Sequence, residues 1–201
     1  MMAAASQEYP LGLHKLASIG SVYVSQKNTM FANKYVVSTS AGELLFNAKE
    51  DASAVHVWLA GDHRKFNIDL YDANQQQVIG LRRPYTFGGS KLEVSVRGQL
   101  VSVVRQQCTM MKPVLHINNA RDQPVLRVKG PIAVGAQCDF KLQTSDKMDI
   151  GFIRKKWSGL MREVFTESDD FEIEFPIDLD VNYKAAVIGT CLLIDFLYYE
   201  K

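Results

Sequence analysis

The stretch Val181 to Glu200, VNYKAAVIGTCLLIDFLYYE, is apolar or small on every side between Ala185 and Ile194. Its character is helical rather than alternating, and a helix with no polar face must be surrounded on all sides. Either lipid or protein can do that. A bilayer span needs about 20 mostly apolar residues, whereas Lys184 and Asp195 bracket only ten here. Each charge placed deep in a membrane costs about 2.5–3.5 kcal/mol on insertion scales. The lengths and costs therefore favour a core helix over about 182–199, with membrane insertion as the alternative.

What could enclose such a helix is written upstream. From Lys34 to Phe175 the chain runs in short alternating segments rich in Val, Ile, Leu, Phe and Tyr, separated by turn residues, the pattern of antiparallel strands. Five hairpins are predicted. The first joins Lys34–Ser38 to Glu43–Ala48 across Ser40-Ala41-Gly42, and the second joins Phe66–Tyr71 to Gln77–Arg82 across Asp72-Ala73-Asn74. The third joins Lys91–Val96 to Leu100–Arg105 across Arg97-Gly98-Gln99, and the fourth Val114–Asn118 to Pro124–Lys129 across 119–122. The last joins Cys138–Gln143 to Asp149–Lys155 across Ser145-Asp146-Lys147. Phe171–Phe175 alternates too, which places Glu172 and Glu174 on one outer face. Ten or more strands tend to curl, and closure removes the edges that invite aggregation. No Pro/Ser-rich linker divides the chain, so one domain over 10–201 is expected, with 1–9 read as a short disordered leader.

The net charge of +1 argues against a nucleic-acid partner, which calls for a strongly basic face. Cys108, Cys138 and Cys191 are widely spaced and read as reduced core thiols. No GxSxG, HExxH or GxGxxG pattern is present, and His14, His56, His63 and His116 are scattered, so no enzyme is read here.

The last fifty residues are more specific. Gly151 to Leu160 (GFIRKKWSGL), Arg162 to Thr166 (REVFT), Phe171 to Asp180 (FEIEFPIDLD) and Lys184 to Glu200 closely resemble the phospholipid scramblase family. The resemblance continues upstream in family order through Pro10-Leu11-Gly12-Leu13, Asn33-Lys34-Tyr35, Ala48-Lys49-Glu50 and Leu81-Arg82-Arg83-Pro84, and covers about 10–201. It implies a tubby-like fold: a closed antiparallel barrel of about twelve strands around a central C-terminal hydrophobic helix. It also implies calcium-activated, ATP-independent, bidirectional movement of phospholipids between leaflets. The expected setting is the cytosolic face of a membrane, the plasma membrane first. Many members carry a palmitoylated cysteine cluster after the arginine-proline motif; here Arg83 to Ser90 holds no cysteine, which leaves room for a soluble pool.

The resemblance maps a calcium segment onto Glu167 to Asp178, with Glu167, Asp169 and Asp178 as carboxylates and the Phe171 carbonyl as a neutral ligand. As an EF-hand it departs at three places, since Glu172 stands where the loop needs glycine, Glu167 opens it and Asp178 closes it. A solvated strand face is the competing reading. Phospholipid head groups, anionic ones included, have two candidate sites: Arg82, Arg83 and Lys91, flanking Gly88-Gly89, and Arg154-Lys155-Lys156 beside Trp157. Structural ion pairs are the alternative for both. Beyond scrambling, a tubby-like module that binds anionic lipid or calcium without transport, or a signalling adaptor, would fit the same pattern.

Overall fold

A computed structural model describes residues 10–27, 34–50, 65–86, 88–109, 111–132, 138–156 and 170–199. A short helix α1 (Leu11–Ala17) precedes twelve strands. These are β1 (Ser21–Lys27), β2 (Lys34–Ser38), β3 (Leu44–Glu50), β4 (Phe66–Tyr71), β5 (Gln77–Arg83) and β6 (Lys91–Val96). They continue as β7 (Gln99–Gln107), β8 (Val114–Asn119), β9 (Pro124–Lys129), β10 (Asp139–Thr144), β11 (Asp149–Lys156) and β12 (Asp170–Glu174). The chain then enters α2 (Val181–Tyr198). All five expected hairpins form, and Gly42, Arg97 and Gly98 take the positive φ their tight turns require. Neighbours in sequence are neighbours in the sheet, and β1 closes the barrel by pairing with β12 on one side and β2 on the other. Neither β1 nor α1 is anticipated by the sequence reading. Residues 1–9 lie outside the described residues.

Alternation puts one row of side chains from every strand inside. Val24, Val37, Leu81, Val94, Ile117, Leu142 and Ile173 are all fully buried there, and they pack against α2 in a single core. On the helix itself, every residue from Lys184 to Asp195 is buried. By length and composition α2 could cross a membrane, yet 72% of it is already buried within the protein. The expected core helix is what the structure shows. Its N-terminus is capped by Asp180, whose side chain accepts from the Asn182 amide at 2.8 Å. Gly189 faces the wall so closely that a Cβ there would meet Leu81 Cδ2 at 2.9 Å.

The two ends of the barrel differ. At the end where α2 begins, strands join through tight turns such as 72–76, 97–98 and 145–148. There α1 closes the opening, and Gly12 lies against Phe46 so tightly that a side chain would strike its ring. Lys184 completes this seal. Its Nζ donates to the carbonyls of Leu16 (3.1 Å), Ala17 (2.9 Å), Ile19 (2.8 Å) and Ile177 (2.8 Å). The first two belong to the last turn of α1, whose carbonyls have no partner within the helix. At the opposite end, where α2 finishes, consecutive strands are separated by six or more residues. We call these the closed end and the loop end.

Candidate functional site

Because side chains alternate along a strand, consecutive basic residues cannot share a face. Arg82 points outward, where its guanidinium meets Asp69 at 2.5 Å and the carbonyls of Ile68 and Leu81. Arg83 points inward and is 4% exposed. It donates to Ser90 Oγ at 2.9 Å and stacks over the Phe196 ring at 4.6 Å. Lys91 lies outside, paired with Glu93 at 2.6 Å. The second basic run splits in the same way. Arg154 lies outside in a two-pronged pair with Asp139 (2.7 Å for both bonds), and Lys156 lies outside beside Glu172 at 3.2 Å. Lys155 points inward and is 5% exposed. The structure therefore brings together neither the two arginines nor the three-residue basic cluster. The four outward cations are each matched by a carboxylate, and the bond from Arg154 holds the Asp139 carboxyl below its usual range.

Of the calcium positions, Glu167 and Asp169 lie outside the described residues, as does Trp157. Phe171 is buried in β12 between β1 and β11, and its ring meets Tyr199 edge-on at 5.8 Å. Asp178 is exposed in the turn that follows the strand. Phe171 to Phe175 alone spans about 13 Å at the rise of an extended chain, whereas calcium ligands sit about 2.3–2.6 Å from the ion. The Phe171 carbonyl at the loop end and the Asp178 carboxylate at the closed end therefore do not fit one shell. Among the described residues no group of three His, Cys, Asp or Glu side chains is placed to hold a metal.

The structure does assemble one polar constellation, inside the loop end around the last turn of α2. Asp195, 1% exposed, accepts from the Tyr35 hydroxyl at 2.8 Å and lies 3.9 Å from Lys155 Nζ. Lys155 also sits over the Tyr199 ring at 3.7 Å, and the Tyr199 hydroxyl meets Cys138 Sγ at 2.6 Å. Gln106 Nε2 donates to the Tyr198 hydroxyl at 3.1 Å. Two buried cations, Lys155 and Arg83, thus grip the C-terminal turn of α2, where they also oppose the negative end of the helix dipole. Sequence reasoning missed this grouping, although strand alternation placed Lys155 and Arg83 on the inner row from the start. Two cavities open here. One of about 190 Å³ is lined by Arg83, Ser90 and Tyr198 among others, and one of about 640 Å³ by Met111, Ile132 and neighbours.

The thiols divide. Cys191 and Cys138 are buried, and burial pushes the Cys191 thiol well up. Cys108 is exposed at the end of β7, so the expectation that all three are core thiols fails there. It follows the last paired residue of the strand, where alternation no longer directs a side chain inward.

The scramblase family model matches residues 1–201. The chain belongs to the scramblase family. It is 34% identical to phospholipid scramblase 1 of Mus musculus over 96% of this chain and 65% of that protein. It is 33% identical to phospholipid scramblase 2 of Bos taurus, over 95% of this chain and 72% of the relative. To phospholipid scramblase family member 5 of Homo sapiens it is 31% identical, over 95% and 78%. This scramblase-family chain thus spans about two thirds of the mouse protein's length. An X-ray structure of a protein from Arabidopsis thaliana matches with a TM-score of 0.52 and 15% identity, over 90% of this chain and 95% of that one, a likeness of fold alone.

Proposed function

We propose that this chain moves phospholipids between the two leaflets of a bilayer, in both directions and without ATP, with calcium as activator. The proposed place of action is the cytosolic face of a membrane, the plasma membrane first, with anionic lipids among its partners. The observation that carries this reading is the family match across residues 1–201 together with relatives named as phospholipid scramblases. Among the described residues no group of three His, Cys, Asp or Glu side chains forms a calcium shell.

A second reading has a specific observation in its favour. With α2 enclosed, the barrel offers a head group no polar path along its axis. A module that binds anionic lipid without transporting it would need no such path.

Reconstitution separates the two. Purified protein is placed in vesicles carrying a fluorescent phospholipid, with and without calcium, in the absence of ATP, and a membrane-impermeant quencher is added outside. Transport predicts that the protected inner-leaflet half of the signal becomes quenchable when calcium is present. Co-sedimentation with anionic vesicles while that half stays protected would leave only the binding module.

A further inference from the structure

The two cavities at the loop end adjoin, with Gly88, Gln106 and Tyr198 lining both. A Cβ at Gly89 would overlap the Gln106 carbonyl, and Gly88 has φ +96, so glycine lets this connection lie flat on the end of β7 between the two compartments. Ligand sites generally combine apolar walls with a few convergent polar groups. Here both adjoining spaces carry polar groups, and the large exposed apolar side chains stand only in the outer one.

The inner compartment is rich in donors. Arg83 carries a permanent charge and donates to Ser90 Oγ, so the Ser90 hydroxyl accepts there and keeps its own hydrogen to give. Tyr198 accepts from Gln106 in the same way, and burial pushes its hydroxyl up, which keeps it protonated and a donor. No carboxylate is found among the described residues that line either space. A guanidinium and two hydroxyl donors together suit an oxyanion. The outer compartment is mixed, with Gln107, Thr109 and Lys112 beside large apolar side chains. Met111 and Ile132, 67% and 65% exposed, come from two different connections and line one cavity together with Pro113. Side chains of this kind give a pocket the apolar contact that an alkyl group needs.

We propose that this mouth binds a phosphate-bearing amphiphile, its phosphate beside Arg83, Ser90 and Tyr198 and one alkyl chain along Met111, Pro113 and Ile132. The choice of a phosphate-bearing lipid rests on the phospholipid reading above and gives it a site.

The test titrates the full chain, free of detergent, by calorimetry with a medium-chain alkyl phosphate kept below its micellar concentration. The alkyl phosphate saturates one site per chain, while inorganic phosphate and the alcohol of the same chain length each bind at least about tenfold more weakly. Ile132→Glu, at an exposed position where folding is not at stake, weakens the alkyl phosphate about tenfold, and Tyr198→Phe weakens it severalfold. Equal binding of inorganic phosphate, equal binding of the alcohol, or an unchanged Ile132→Glu variant would each overturn the proposal. One-site binding without leaflet exchange keeps this site and removes the transport reading. Leaflet exchange with no saturable alkyl phosphate binding does the reverse.

Discussion

Gly189 gives the most direct test of an enclosed helix, because leucine at that position has opposite consequences in a protein core and in lipid. In the barrel, the new Cβ would meet Leu81 Cδ2 at 2.9 Å and Leu92 Cδ2 and Val94 Cγ2 at 3.4 Å. All three wall residues are fully buried and lie on the adjacent strands β5 and β6, so none can swing into solvent. Three further carbons must then be accommodated beyond that Cβ. Overpacking of this kind typically costs about 1–3 kcal/mol, and the tight first contact places Gly189→Leu at the upper end. Replacing glycine by leucine within a helix returns about 0.8 kcal/mol of propensity, which leaves a net loss of about 2 kcal/mol. For a chain of this size the melting temperature should fall by about 4–8 °C. Circular dichroism melts in detergent-free buffer measure it, and Gly189→Ala, in which propensity roughly offsets a small shift of Leu81, serves as the near-neutral companion. In lipid the same leucine would raise apolarity and favour insertion by a few tenths of a kcal/mol. A Gly189→Leu protein that melts at or above the parent and partitions into detergent would refute the enclosure.

Three more outcomes follow from the same structure. An alkylating reagent under native conditions should modify Cys108 at once, with Cys138 and Cys191 protected until denaturant is added; mass spectrometry of the labelled peptides reads this directly, and fast modification of Cys191 would contradict its burial. Lys184→Met should lower stability by about 3 kcal/mol, measured as the urea midpoint, because the carbonyls of Leu16, Ala17, Ile19 and Ile177 lose their shared donor. Acid should weaken the fold in a defined window. The bond from Arg105 holds Asp122 down at about 2, and Asp139 and Asp149 are likewise lowered by Arg154 and Lys141. Their contribution is fully present above the unfolded carboxylate value near 4 and is lost as pH falls through the lowered folded values, about 2 for Asp122. His116, lowered chiefly by burial and then by Arg127, adds a small loss beginning as pH falls below about 6.5, which His116→Asn should remove.

The hairpins and the central helix were legible because each depends on a local period. Phe66 to Tyr71 reads as a strand from alternation alone, and the apolar run from Ala185 to Ile194 forces a surrounding wall whatever the wall is made of. The candidate site was less legible for the same reason taken one step further. Arg82-Arg83 and Arg154-Lys155-Lys156 look like patches in a one-dimensional text, but a strand sends neighbours to opposite faces, so Arg83 and Lys155 leave the surface for the barrel interior. Their partners Phe196 and Asp195 lie far along the chain, and nothing in a local pattern pairs position 155 with 195. The exposed Cys108 was unreadable for a different reason. An apolar neighbourhood predicts burial only while a residue belongs to a periodic element, and Cys108 stands just past the end of one.

Enclosure of α2 also decides where a lipid could travel. If the helix left for a bilayer, its own apolar surface would merely exchange one apolar surrounding for another. The barrel would lose far more. Leu81, Leu92, Val94, Ile117, Phe140 and Leu142 are fully buried in the shared core, and fully burying a side chain of this kind contributes about 1.5–3 kcal/mol. Exposing even these six would cost on the order of 10 kcal/mol, as much as the whole stability of an ordinary domain. Lys184 would also abandon the carbonyls that seal the closed end, and Lys155 and Arg83 would lose the last turn of the helix. A barrel emptied in that way would not persist as a pore. Any path this chain gives to a phospholipid head group therefore runs over its outer wall or past its loop end, where the donors, the cavities and the exposed Met111 and Ile132 already lie together.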